Sequence, residues 1–221
     1  MMRLIVTGAD GALGTAVVRR FVDAGCRVAA LHGSDAEAAP ADGRFVAGDL
    51  ADEDNAARVI DMASAWLGGL DGFVHLVGGF AWQPATTARL ADWRAMFEAN
   101  LATAVASVAA ALPHIAEGGA IVFVGAQSAE PAGAGFGPYG AAKAGVARLT
   151  EALAVELAPR RIRVNAVLPA IIDTPRNRAD MPDADPAAWT SPDAVADAIA
   201  FLISPAARAV NGARVPVTNA A

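Results

Sequence analysis

The sequence predicts an α/β fold: a doubly wound sheet of about seven parallel strands with helices on both faces, in one domain over residues 1–221. Three observations carry this. Short apolar runs alternate with segments of helical period along the whole chain, which is the order of βαβ units. Several of those runs are apolar throughout, as strands covered on both faces must be. Their ends also gather the chemically distinctive residues: Gly8 to Gly14, Asp49, Gly78-Gly79, Ala126 and Pro169. Ligands of open parallel sheets bind beyond those carboxyl ends.

In chain order, residues 3–6 read as a first strand, followed by the turn Thr7-Gly8-Ala9-Asp10-Gly11-Ala12-Leu13-Gly14 and a helix carrying Val17, Val18, Phe21 and Val22. Small residues there let a pyrophosphate approach the backbone, and the helix start supplies free N–H groups and a positive dipole end. Residues 26–31 form the second strand, ending at His32-Gly33-Ser34. An acidic residue near this point binds ribose hydroxyls, and a basic one accepts a 2′-phosphate. Neither stands here, since Asp35 and Glu37 lie a little beyond. The cofactor therefore reads as NAD or NADP, with a lean to NADP from the missing carboxylate.

A third strand is expected over residues 44–50, a helix over about 52–66 and a fourth strand over 72–77. A loop with Phe80 and Trp82 follows, then one long helix over about 90–115 with Asn100 mid-way. The fifth strand is expected at 120–124 and the sixth at 162–168. The Pro- and Asp-rich stretch at about 170–190 is too polar for core and reads as a substrate lid. Ser191-Pro192-Asp193 starts the last helix, and residues 213–217 close the sheet.

Composition excludes several classes. The most apolar run, residues 101–112, is too short to span a bilayer. Residues Met1-Met2-Arg3 lead directly into a strand, so no membrane segment or secretory leader is read and a cytoplasmic location is expected. A net charge of -6 without a basic stripe disfavours nucleic acid. The single cysteine and three scattered histidines show no ligand spacing, so no metal is expected.

The helix after the fifth strand opens with Gly137-Pro138-Tyr139-Gly140-Ala141-Ala142-Lys143. Tyr139 and Lys143 stand four residues apart, on one helix face. A phenol is a weak acid with a free pKa of about 10. A neighbouring ammonium stabilises the phenolate and is expected to bring that value down, making Tyr139 a proton donor to a small-molecule substrate.

Thr7-Gly8-x-x-x-Ala12-x-Gly14, Asp49-Leu50, Gly78-Gly79, Asn100, Tyr139-x-x-x-Lys143 and Asn165-Ala166-Val167-Leu168-Pro169 with Thr174 occur in this order. The whole chain thereby resembles the short-chain dehydrogenase/reductase family. The resemblance implies a Rossmann-type fold with Tyr139 as acid/base and Lys143 lowering its pKa and holding the nicotinamide ribose. It also implies that Asn100 supports a water-linked proton path, that Asp49 and Leu50 line the adenine pocket, and that Ile172 and Thr174 lie by the nicotinamide. By the same analogy the chain forms a homodimer or homotetramer through its two long alanine-rich helices.

One position departs from the pattern. The family usually places a serine thirteen residues before the tyrosine, and this chain has Ala126 there. A methyl group donates no hydrogen bond, and a lost oxyanion donor is worth about 3 kcal/mol. Ser128 or Gln127 is the available replacement. The subfamily that naturally lacks the serine is dihydropteridine reductase. Gly78-Gly79-Phe80 with Trp82, and the lid through Arg176, Met181 and Trp189, are similar to it. Phe80, Trp82 and Trp189 then become candidates for stacking on a planar substrate. Two other readings stand beside this one. They are a catalytically silent dinucleotide-binding sensor or scaffold, and a 3-oxoacyl or sugar-type carbonyl reductase that uses Ser128.

Overall fold

The structure is a computed structural model that describes residues 1–33 and 43–219; Ser34, Asp35 and Glu37 lie outside the described residues. Seven strands form one sheet: β1 (Arg3–Thr7), β2 (Arg27–His32), β3 (Gly43–Val46), β4 (Leu70–His75), β5 (Ile115–Val124), β6 (Arg163–Pro169) and β7 (Arg214–Val217). Their order is β3-β2-β1-β4-β5-β6-β7, with every neighbouring pair parallel. The chain therefore winds outward from β1 through β2 to β3, then crosses back to β4. This reversal opens a crevice at the carboxyl ends of β1 and β4, where such sheets bind their ligands.

Strand side chains point alternately to the two faces, and here both faces are apolar. Ile5, Leu31, Phe73 and Phe123 are buried with residues of α2 (Glu53–Leu67), α4 (Thr103–Ala111) and α5 (Gly137–Glu156). Leu4, Val6, Val28, Val74 and Val122 face the other way, against α1 (Ala12–Asp23) and α7 (Pro192–Ile203). The expected doubly wound architecture is the one observed.

Three local expectations need correction. The third strand stops at Val46 and does not reach Leu50, because Gly48 turns the chain with φ +63. Asn55 Nδ2 then takes up the freed carbonyls of Ala47 (2.6 Å) and Asp49 (2.7 Å). The long helix expected over residues 90–115 is interrupted. It consists of α3 (Leu90–Phe97), a π-helical turn (Glu98–Ala102) and α4, and Ile115 already belongs to β5. Pro113 has no N–H to continue the helix, and Arg160 takes the carbonyls of Leu112 (3.0 Å) and Ile115 (2.6 Å).

The polar stretch at 170–190 is not wholly superficial. It holds the short α6 (Pro175–Asp180), but Trp189 is 6% exposed and Thr190 is buried. Asn219 Nδ2 donates to the carbonyls of Ala187 (3.1 Å) and Trp189 (2.8 Å), drawing that turn inward.

Candidate active site

The crevice begins at the turn after β1. Gly8 sits at φ +69, and a side chain on Gly14 would drive into the Gly8 carbonyl oxygen. Gly14 is required because the first turn of α1 is packed directly on the end of β1, and Gly8 because of its left-handed φ beside Leu76 and Val77. Gly11 caps α1 without a side-chain bond, and the first turn carries no acidic residue. The amides of Ala12, Leu13 and Gly14 thus stand at the positive end of the helix dipole. Asp10 reaches across to accept the Gly33 N–H (3.2 Å), joining this cradle to the end of β2.

His32, the last residue of β2, is buried with neither ring nitrogen hydrogen-bonded, and desolvation lowers its pKa. Asp49 lies exposed in the turn after β3 and accepts the Ala51 N–H (2.9 Å), whereas Leu50 is buried in the core.

The second half of the site is built by three elements that meet. A Cβ placed on Gly78 would lie 2.7 Å from Asn100 Oδ1 and 3.1 Å from Lys143 Nζ. Asn100 is on the π-helical turn, a local widening that frequently marks functional sites. Its Nδ2 donates to Gly79 O (2.9 Å) and Met96 O (3.0 Å), and its Oδ1 accepts the Gly79 N–H (3.2 Å). The amide is therefore locked onto the glycine turn after β4. Lys143 is 7% exposed and donates to the Val124 carbonyl (2.9 Å), with Nζ 5.9 Å from the Tyr139 ring centroid.

Burial brings the Lys143 pKa down to about 8 and pushes Tyr139 up to about 12. The second shift runs against the expectation that the ammonium makes this phenol more acidic. Desolvation of the phenolate prevails, and the ammonium is engaged by the Val124 carbonyl and is not on the hydroxyl.

Around the phenol the walls are aromatic. Phe80 stands edge-on to Tyr139 at 5.0 Å between centroids, and Phe136 lies 5.6 Å from Phe80 and 6.3 Å from Tyr139. Phe136 escaped the sequence reading, and its place three residues before Tyr139 was the one available signal. Trp82 is 60% exposed beside Gly135, whereas Trp189 is inside.

Ala126 is buried after β5. In the same turn Ser128 is half-buried, and Gln127 is exposed with its N–H donated to Pro169 O (3.0 Å). Pro169 ends β6, and Thr174 caps α6 by accepting the Asn177 N–H (3.1 Å). Asn177 Nδ2 in turn donates to Ile172 O (2.8 Å), so Ile172 and Thr174 are held together after β6.

Sequence reading gave His75 no role, yet it shares a bond with Thr7 between Nδ1 and Oγ1 (3.0 Å), linking the ends of β1 and β4. Burial and the Lys143 charge lower its pKa from 6.5 to about 3. Between those values the unfolded chain takes up a proton that the folded one refuses, so stability is lost as pH falls through this window. A His75→Asn variant, which keeps a partner for Thr7 without that proton, is expected to unfold at a pH lower by about one unit. Circular dichroism during acid titration measures this, and equal midpoints would count against it.

The parallel sheet with a glycine cradle at its switch point, and the Gly78–Asn100–Lys143–Tyr139 cluster beside it, define a nicotinamide-dependent oxidoreductase. A family model described as Enoyl-(Acyl carrier protein) reductase matches residues 8–219. The chain belongs to the short-chain dehydrogenase/reductase family. It is 37% identical to a cis-4-hydroxycyclohexanecarboxylate dehydrogenase of Sinomonas cyclohexanicum, over 95% of this chain and 92% of the relative. With 3beta-hydroxysteroid dehydrogenase 1 of Eggerthella lenta the identity is 31%, over 95% and 89%. Among solved structures, a short chain dehydrogenase from Burkholderia cenocepacia in complex with NADP superposes with a TM-score of 0.90 at 30% identity, covering 98% of this chain and 96% of that one.

Proposed function

We propose that this chain reduces a small conjugated or carbonyl compound at the expense of NADH or NADPH, with Tyr139 as the proton donor. The observation that carries the reading is the convergence of Gly78, Asn100 and Lys143 on one point beside Tyr139. In this reading Gly8, Asp10, Ala12, Leu13 and Gly14 hold the pyrophosphate, and His32, Asp49 and Leu50 flank the adenosine. Gly78, Lys143, Pro169, Ile172 and Thr174 surround the nicotinamide half. The dinucleotide supplies the hydride. The glycine cradle fits it, because the first turn of α1 carries neither a side-chain cap nor an acidic residue and leaves its amides free for the phosphates.

Tyr139 Oη gives its proton to the substrate atom that gains negative charge, and the turn carrying Asn100 supports its return from water. With its pKa pushed up to about 12 the phenol carries at neutral pH the proton that it would donate. Ala126 leaves the substrate one anchor short, which supports a planar conjugated acceptor of the dihydropteridine type over an isolated ketone. NADP is the preferred cofactor in this reading, since neither His32 nor Gly33 at the end of β2 is a carboxylate and Asp10 uses its own to accept the Gly33 N–H. The exposed Trp93 and Phe97 of α3, Val105 of α4 and Val155 of α5 support a homodimer or homotetramer. Trp93, Arg94 and Phe97 line an apolar slot of about 240 Å³ with Pro138, Ala141 and Ala142.

The test is to follow loss of the reduced nicotinamide's near-ultraviolet absorbance with quinonoid dihydropterin, simple quinones and cyclic ketones. Acceptor-dependent oxidation is the expected result. Calorimetric binding of dinucleotide without turnover on any acceptor would instead make the chain a silent sensor, the reading that Ala126 favours. Light scattering reports the oligomer.

A further inference from the structure

Phe136 is left without a task by the chemistry above. It precedes α5, and its ring joins those of Phe80 and Tyr139 within the range at which aromatic pairs attract. Phe80 nevertheless remains 53% exposed beside the phenol, and Trp82 is more exposed still. Large apolar faces left open to water forfeit about 25 cal/mol for each Å².

These rings do not sit on slack loops. The Gln83 N–H donates to Gly135 O (2.7 Å), and Gln83 pairs with Phe136 in a parallel bridge. Gly135 has φ +83, and any side chain there would collide with the Trp82 indole. The backbone thus fastens the loop after β4 to the entry of α5, with three aromatic rings along the join. Lys143, the charged group beside Tyr139, points its ammonium at the Val124 carbonyl.

We propose that Phe136, with Phe80 and Trp82, forms a ledge that selects a flat, uncharged ring in the substrate and sets it against Tyr139. This deepens the reductase reading and rests on it for its use in turnover. Phe136 is on this account the specificity-determining residue, because its backbone is tied to Gln83 and its ring packs against Phe80 and Tyr139, while Phe80 and Trp82 are the more exposed rings.

The experiment compares kcat/KM for naphthoquinone and for diacetyl, a small aliphatic diketone, in wild type, Phe136→Leu and Phe136→Ala. Loss of the aromatic face is expected to lower the naphthoquinone-to-diacetyl ratio about tenfold. Phe136→Tyr is expected to retain it. An unchanged ratio in a folded Phe136→Leu protein, which keeps bulk without the π face, overturns the proposal. Should wild type oxidise NADPH with neither acceptor, the reductase reading has failed and binding decides the ledge. Saturation-transfer NMR of naphthol with NADP⁺ present should then show contact in wild type and lose it in Phe136→Leu. Equal signals in both proteins, or none in wild type, refute it.

Discussion

Replacing Tyr139 by Phe is expected to cut reductase turnover about a thousandfold while leaving dinucleotide affinity and fold unchanged. The substitution keeps the ring that packs against Phe80 and Phe136 and removes the hydroxyl alone. Any loss therefore reports proton donation and not a collapsed wall. The same variant carries a second signature at high pH. Tyr139 holds its proton up to about 12 in the folded protein, against 10 for the free group. Between those values the unfolded chain releases a proton the native one keeps, so wild type loses stability as pH rises through the window. Tyr139→Phe lacks that loss and should denature later on alkaline titration. Full turnover in the variant would end the proton-donor assignment.

Lys143→Met is expected to abolish activity and, in the dinucleotide-free protein, to raise stability at neutral pH. Folding buries this ammonium and lowers its pKa from 10.5 to about 8. Charged below that point, it opposes folding by on the order of 3 kcal/mol, offset by about 1 kcal/mol from its bond to Val124. Methionine fills the space without the charge, so the melting temperature should rise by about 4–8 °C. The sign of the pH dependence is set by the depressed value. Wild type gains stability as pH climbs from 8 to 10.5, and the advantage of the variant fades over the same range. Calorimetric melts at neutral and alkaline pH measure it. A variant less stable than wild type at neutral pH would show that the buried charge is better compensated than its single carbonyl partner indicates.

The sheet was legible because its strands are apolar on both faces and its helices amphipathic, patterns that survive without knowledge of neighbours. Asn100, Tyr139 and Lys143 were legible through their types and order. Where the reading failed at the site, a non-local contact had decided the outcome. Alanines around Glu98 gave no hint that the helix widens there, because the side chain that pins it bonds to Gly79, twenty-one residues away. Trp189 read as a lid residue from its polar surroundings, yet the distant Asn219 holds its backbone and its side chain is inside. Phe136 carries no periodic signal, and its partners come from a loop some fifty residues earlier.

By itself the sequence determined the parallel α/β architecture, the family and the residue types available for proton and hydride chemistry. Local spacing and hydrophobic period are written into the chain and do not depend on its path. The tertiary structure alone decided the protonation of those residues and the shape of their walls. Tyr139 is made a weaker acid and Lys143 a weaker base by burial, a property of how much water the packed neighbours remove, and spacing along a helix does not report that quantity.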